Sequence, residues 1–140
     1  MTRVVIVHRD RQVADRMAAE LRGIGYQTEQ CGGPQQEPCP VMEDLPCPLV
    51  DRADVLVYDA RVAGDSEGGH RLVSHLRDVY ADLPVVLITG FATAFQSKQW
   101  KRLGLEGFLT KPFRIDEMLD MVASLAPDAT RTPGKTLANT

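Results

Sequence analysis

The stretch Asp54-Val55-Leu56-Val57-Tyr58-Asp59 decides the fold, because it places four apolar residues between two aspartates. A short continuous apolar run of this kind is typical of a strand that is covered on both faces of a parallel sheet. In open α/β sheets, ligands bind in the crevice at the carboxyl ends of the strands. The sequence therefore predicts that Asp59 presents its carboxylate in that crevice.

Strands and helices alternate on both sides of this stretch. The β-branched run at residues 4–7 predicts a first strand, and Asp10 is placed to cap a helix that Gly23 and Gly25 end. The other predicted strands are 26–31, 85–88 and 107–110, and the other predicted helices are 72–79, 95–103 and 115–125. Since βαβ units are right-handed and cover both faces of a sheet, we expect an α/β fold with a five-stranded parallel sheet and helices on both faces.

Residues 31–48 interrupt this alternation. They contain five prolines, two glycines and the three cysteines Cys31, Cys39 and Cys47. Proline removes a helical hydrogen bond, so we expect an irregular segment with at most one helical turn in place of a regular second helix. The cysteines are spaced C-x7-C-x7-C and lack the short C-x2-C pair of most zinc sites. Free thiols are the simpler interpretation, and a metal or redox site completed by a histidine is the alternative.

Length and composition indicate one soluble domain. We assign residues 1–126 to this domain and expect residues 127–140, which are rich in Thr, Ala, Pro and Gly, to be a disordered tail. The 140 residues are 44% apolar and carry a net charge of −3, which gives no reason to expect nucleic acid or an anionic membrane as a partner. No signal peptide and no run of about 18 apolar residues is present, so we expect a cytoplasmic protein.

Polar residues follow the predicted strands at the point where each one ends. Asp59 closes the third strand, Thr89 the fourth and Lys111 the fifth, while His8, Arg9 and Asp10 follow the first. The carboxyl ends of parallel strands meet at one edge of the sheet. A carboxylate, a hydroxyl and an ammonium group at one edge provide an acceptor, a hydrogen-bond donor and a cation for a phosphoryl group.

With Phe108 three residues before Lys111-Pro112, the chain resembles the receiver domain of two-component response regulators over residues 3–126. The resemblance implies a flavodoxin-like fold with strand order 2-1-3-4-5. It also implies Asp59 as the phosphoacceptor equivalent, Thr89 and Lys111 as its phosphate-site partners, and Phe108 as a switch aromatic. Plain core packing is an equally good interpretation of Phe108.

The same resemblance implies a protein partner, either a histidine kinase or a downstream output protein, in a phosphorelay or two-component system. Receivers commonly use the face formed by the helix at 95–103, the strand with Phe108 and the last helix for dimers and downstream contacts. A homodimer is therefore an option, and Trp100 is an interface anchor if it is exposed.

The first strand departs from the family pattern. Receivers carry two acidic residues there that help to hold Mg²⁺, but His8 and Arg9 stand at those positions and Asp10 falls one residue beyond. Asp10 is then either a residual ligand or the cap of the following helix. Mg²⁺ requires oxygen ligands in near-octahedral geometry, so we expect weak or absent Mg²⁺ binding and no other cofactor. Two interpretations of Arg9 remain open: it takes the place of the cation by pairing with Asp59, or His8 and Arg9 are simply solvated loop residues.

These observations favour a pseudo-receiver that signals through partner binding and is not an enzyme. One alternative is a functional receiver phosphorylated on Asp59 with an altered metal site. Another is a flavodoxin-like ligand-binding or enzymatic domain that uses the same crevice. The loop after residue 7 has no glycine or Ser/Thr cluster that would hold a phosphate, which makes a flavin site unfavourable.

Overall fold

The computed structural model describes residues 2–34, 36, 38–62, 70–90, 102, 105 and 107–126. Outside the described residues lie the predicted tail 127–140 and Trp100. The predicted helix 95–103 also lies outside them, except for residue 102. None of the helices within the described ranges has the length and apolar character needed to cross a bilayer.

Five parallel strands form one sheet in the order β2-β1-β3-β4-β5, which confirms the predicted architecture. The strands are β1 (Arg3–Val7), β2 (Gln27–Cys31), β3 (Val55–Asp59), β4 (Val85–Thr89) and β5 (Gly107–Thr110). The described helices are α1 (Arg11–Gly23), a 3₁₀ turn (Pro40–Glu43), α2 (Pro48–Asp51), α3 (His70–Val79) and α4 (Ile115–Leu125). The element order places the end of β3 between the ends of β1 and β4.

Apolar side chains alternate between the two faces of the sheet because successive residues of a strand point in opposite directions. One face packs against the 3₁₀ turn, α2 and α3 through the buried strand residues Val5, Val7, Leu56, Tyr58, Val85 and Leu87. The other face packs against α1 and α4 through the buried strand residues Val4, Ile6, Val55, Val57, Val86, Ile88 and Leu109. Both faces are thus covered, which explains the uninterrupted apolar runs of β1, β3 and β4.

Asp10 begins α1. Its Oδ1 accepts hydrogen bonds from the backbone N–H groups of Gln12 at 2.9 Å and Val13 at 3.3 Å, and its own backbone is extended. These bonds satisfy amide groups that have no partner within a helix. At the other end, α1 stops at Gly23, and Gly25 adopts a φ of 105° that leads the chain into β2.

The proline- and cysteine-rich segment contains the predicted single turn at Pro40–Glu43, and a second short helix, α2, begins at its last residue, Pro48. Both start with proline, whose missing N–H costs nothing in the first helical turn. The segment therefore contains slightly more helix than the single turn that its prolines predicted. The three cysteines form no disulfide bond with one another, and they are half-buried and packed against the core on the α3 face.

Candidate functional site

Asp59 lies at the carboxyl edge of the sheet, where the sequence predicts it. It is the last residue of β3 and only 2% exposed. His8 directly follows β1, Thr89 ends β4 and Lys111 directly follows β5. The parallel register places Ile88, the residue before Thr89, beside Asp59. The fold therefore brings these four residues to one edge.

The two carboxylate oxygens of Asp59 have different surroundings. Oδ1 accepts a hydrogen bond from the backbone N–H of Arg61 at 2.8 Å. Oδ2 contacts Lys111 Nζ and lies 3.3 Å from His8 Nε2, but it forms no hydrogen bond to the described residues. The contact with Lys111 is an ion pair, and His8 is the second side chain beside Oδ2. The Lys111 ammonium group compensates a carboxylate that would be costly to bury alone.

His8 is the second group beside Asp59, and it is itself buried. Its Nδ1 accepts a hydrogen bond from the backbone N–H of Asp10 at 2.9 Å, so the neutral ring carries its proton on Nε2, the atom that faces Asp59. Burial lowers the pKa of His8 below 6.5; the Asp59 carboxylate opposes this shift, and the Lys111 ammonium group adds to it. The imidazole beside Asp59 is therefore neutral at pH 7.

The interpretation in which Arg9 pairs with Asp59 is wrong. Arg9 is exposed; among the described residues, Lys111 is the ion-pair partner of Asp59 and the neutral ring of His8 lies beside it. Burying a neutral imidazole costs much less free energy than burying a guanidinium group. His8 therefore fills the space beside Asp59, and Arg9 stays in solvent. Arg9 contributes its backbone instead, because its carbonyl oxygen accepts a hydrogen bond from Gln36 Nε2 at 3.3 Å.

Thr89 and Lys111 are joined through their backbones. The N–H of Lys111 donates a hydrogen bond to the carbonyl oxygen of Thr89 at 2.7 Å. The Thr89 side chain is buried at the end of β4. The end of β4 therefore fixes the start of the chain segment that carries the ammonium group to Asp59.

Two other predicted residues stand apart from the carboxylate of Asp59. The Asp10 carboxylate is engaged by the first amides of α1, which favours the cap over the residual ligand. Phe108 is half-buried and packs against the core on the α3 face, so its position fits the packing interpretation and does not distinguish it from a switch.

A cleft of about 1280 Å³ opens at this edge. Its lining residues are His8, Arg9, Asp10, Val13, Arg16, Met17, Gln36, Asp59, Arg61, Lys111, Pro112, Phe113, Arg114 and Ile115. Arg61 and Gln36 are not among the site residues predicted from the sequence. For Arg61 a signal exists, because aspartate side chains often accept the backbone N–H two residues later in a turn. For Gln36 there is none, because no periodicity predicts where a residue in an irregular segment lies.

A second group of potential ligands lies away from the cleft. Within the described ranges, Asp44, His75 and Asp78 are the set of His, Cys, Asp and Glu residues with metal-ligand spacing, and His75 Nδ1 lies 2.7 Å from Asp44 Oδ1. Both aspartates are exposed. The group contains none of the cysteines, so it gives no support to the alternative of a cysteine metal site.

Curated relatives match part of the chain. It is 42% identical over 72 residues to the C4-dicarboxylate transport transcriptional regulatory protein DctD of Pseudomonas aeruginosa, which covers 51% of this chain and 15% of DctD. It is 36% identical over 55 residues to the response regulator protein FleR of the same species, covering 39% of this chain and 12% of FleR. The chain therefore spans only a small part of the length of these relatives.

Solved structures share the fold along most of the chain. The non-phosphorylated HemR receiver domain from Leptospira biflexa superposes with a TM-score of 0.73 at 23% identity, covering 89% of this chain and 94% of that one. A Burkholderia pseudomallei response regulator with a phosphorylated aspartic acid, calcium ion and citrate gives a TM-score of 0.68 at 19% identity, covering 94% and 70%. Residues 4–123 also match the model of the response regulator receiver domain. The chain belongs to the response regulator receiver domain family.

Proposed function

We propose that the domain is a pseudo-receiver, which signals through contacts with a protein partner and not through Mg²⁺-dependent phosphorylation of Asp59. Receiver domains are signalling modules of two-component systems that interact with kinases and output domains. The observation that carries the proposal is the environment of Asp59 Oδ2, which contacts Lys111 Nζ and His8 Nε2. In this arrangement the carboxylate is compensated by groups of the chain itself.

The residues around Asp59 do not fit Mg²⁺. That ion prefers six oxygen ligands in near-ideal octahedral geometry. His8 offers nitrogen, and its Nδ1 already accepts the amide of Asp10. The Asp10 carboxylate caps α1, and the exposed side chain of Arg9 adds positive charge at the same rim. Of the described residues that line the cleft, Asp59 is then the one carboxylate that remains for the ion, and Lys111 and His8 already lie beside its Oδ2.

Weak metal binding has a direct chemical consequence. Phosphoryl transfer proceeds with negative charge on the equatorial oxygens, and a divalent ion is normally the main group that neutralises this charge. Lys111 supplies one positive charge at the site, which is less than a divalent ion and a lysine supply together. Slow or absent phosphorylation of Asp59 follows from this difference.

The partner in this proposal is a histidine kinase or an output protein, and the domain acts in the cytoplasm with no cofactor and no catalytic role of its own. A self-association of two copies is compatible with the same role. The net charge of −3 fits a protein partner better than nucleic acid.

A functional phosphoacceptor is the second candidate, and one observation favours it. Asp59, Thr89 and Lys111 all lie at the carboxyl edge, and a response regulator of the same fold from Burkholderia pseudomallei carries a phosphorylated aspartic acid. Under this alternative, Lys111 and Thr89 hold the phosphoryl group and the altered first strand only changes the metal requirement.

Acetyl phosphate with Mg²⁺, followed by intact-mass spectrometry, separates the two candidates. The wild-type domain is expected to gain no phosphoryl group, and neither is Asp59→Asn. The double variant His8→Asp/Arg9→Asp restores two carboxylates at the end of β1 and is expected to gain one group that depends on both Mg²⁺ and Asp59. Mg²⁺-dependent addition to Asp59 of the wild-type protein contradicts the pseudo-receiver and supports the phosphoacceptor.

A further inference from the structure

The cleft above Asp59 is basic, although the chain as a whole is acidic. Two carboxylates line it, those of Asp10 and Asp59. The five cationic side chains that line it are Arg9, Arg16, Arg61, Lys111 and Arg114. A surface with this excess of positive charge attracts anions and raises their local concentration.

Both carboxylates have partners of their own. Asp10 Oδ1 accepts from two amides of α1, and Asp59 Oδ2 contacts Lys111. Arg114 has its own partner, because its Nε lies 3.0 Å from Asp116 Oδ1. Asp59 and Arg114 therefore have ion-pair partners within the chain, and Asp10 interacts with the amino end of α1.

Three other arginines of the cleft have no ion-pair partner among the described residues. The side chains of Arg9, Arg16 and Arg61 are exposed to the cleft and form no ion pair or hydrogen bond with any residue that the structure describes. They come from three different parts of the chain: the loop after β1, the middle of α1 and the loop after β3. Guanidinium groups bind phosphate oxygens through two parallel hydrogen bonds, which lysine cannot do.

The other wall of the cleft is largely apolar, which indicates that the ligand also carries an apolar group. Val13 and Met17 of α1 and the segment from Pro112 to Ile115 line the same cleft. Within that segment, Phe113 and Ile115 are half-buried and thus present part of their apolar surface. Small-molecule sites typically combine such apolar walls with a few polar groups that fix the ligand's orientation.

We propose that this cleft binds a small organic phosphate without a metal ion: the phosphate group contacts Arg9, Arg16 and Arg61, and an apolar or aromatic moiety packs against Phe113 and Ile115. This proposal rests on the proposed function in one respect: the cleft must not be occupied by Mg²⁺. The ligand then takes the regulatory position that the phosphoryl group takes in other receivers.

Amide proton–nitrogen NMR titrations test the proposal with phenyl phosphate, inorganic phosphate and phenol, in EDTA and at constant ionic strength. Phenyl phosphate is expected to cause saturable shifts at residues that line the cleft. Its affinity is expected to exceed that of phosphate and of phenol by about tenfold each, since it uses both walls. Shifts that do not saturate, or equal affinities for phenyl phosphate and phosphate, overturn the proposal.

Variants locate the site. Arg9→Gln and Arg61→Gln are each expected to lower the affinity for phenyl phosphate by about tenfold, because each removes a charge-assisted hydrogen bond. Arg22→Gln is the matched control, since Arg22 lies in the last turn of α1 and its Nη1 donates to Thr28 outside the cleft. Equal affinities for the three variants overturn the proposal.

The result is distinguishable from a failure of the proposed function. A domain that accepts no phosphoryl group and shows no saturable binding of phenyl phosphate contradicts this inference alone. A domain that binds phenyl phosphate in EDTA and is also phosphorylated on Asp59 with Mg²⁺ contradicts the pseudo-receiver alone.

Discussion

His8 Nε2 lies 3.3 Å from Asp59 Oδ2, so an imidazole stands beside the carboxylate that ends the central strand. The other ring nitrogen, Nδ1, accepts the N–H of Asp10, which is the residue that caps α1. One side chain thereby links the start of a helix to the end of a buried strand. Protonation of His8 Nδ1 breaks this link, because a protonated nitrogen cannot accept a hydrogen bond.

The stability of the domain is expected to fall as the pH falls. Burial lowers the pKa of His8 below its unfolded value of 6.5, so the unfolded chain binds a proton that the folded chain does not. Stability is therefore fully present above the unfolded pKa and is lost as the pH falls toward the folded pKa. Urea unfolding of wild type and His8→Gln from about pH 7.5 to about pH 5 measures this loss.

The difference between these two proteins at each pH isolates His8, because both retain His70 and His75. The free energy of unfolding of His8→Gln is expected to depend less on pH than that of the wild type. A steeper dependence in His8→Gln contradicts the neutral buried imidazole.

Removing the Lys111 ammonium group is expected to destabilise the domain, because it leaves the Asp59 carboxylate buried beside a neutral ring. Lys111→Met should lower the free energy of unfolding by about 1–3 kcal/mol, less than for a fully buried pair, since the lysine side chain is 34% exposed. Asp59→Asn removes the charge that needs compensation. In a double-mutant cycle, the loss in Lys111→Met should therefore shrink in the Asp59→Asn background. Additive losses would argue against an ion pair.

A side chain at Gly33 is expected to destabilise the domain. Its φ is 96°, and a Cβ at this position would lie 2.8 Å from Val62 Cβ, in the loop that follows Asp59. Gly33→Ala should cost about 1–2 kcal/mol of unfolding free energy, since both the backbone and the contact oppose it. Gly23→Ala is the matched control: it lies in α1, where a Cβ meets nothing within 4 Å, and it should be neutral or stabilising. Equal effects of the two substitutions would refute this account.

The Tyr80 hydroxyl group holds α2 to the end of α3. It accepts the N–H of Cys47 at 2.8 Å and donates to Asp51 Oδ1. Burial and the hydrogen bond to Asp51 raise the pKa of Tyr80 to about 12. The raised pKa contributes stability that is present below pH 10 and lost as the pH rises toward about 12.

Tyr80→Phe should lower the free energy of unfolding by about 1–2 kcal/mol at neutral pH, because the Cys47 amide loses its acceptor. The difference in tyrosinate absorbance between wild type and Tyr80→Phe gives the titration of this one residue. A midpoint at the ordinary value of 10 would contradict the hydrogen bond to Asp51.

The sequence predicts the sheet and the meeting of Asp59 with Lys111 well, since apolar periodicity defines the strands and the parallel topology gathers their ends. It does not predict which of two neighbouring side chains faces the site. Arg9 and His8 are neighbours, and only the burial cost of each side chain, which requires the packed structure, shows that the imidazole faces Asp59. The contact of Gln36 with Arg9 is not predictable, because residues 31–48 have no periodicity that sets their path.

The backbone hydrogen bond from Lys111 to the carbonyl oxygen of Thr89 links the position of the Lys111 ammonium group to the end of β4. The counter-ion of Asp59 is attached to the neighbouring strand, so a protein that displaces the end of β4 also displaces the ammonium group. Moving that strand end would then leave the Asp59 carboxylate without its positive partner. Such a displacement would alter the charge balance at Asp59 without any covalent change.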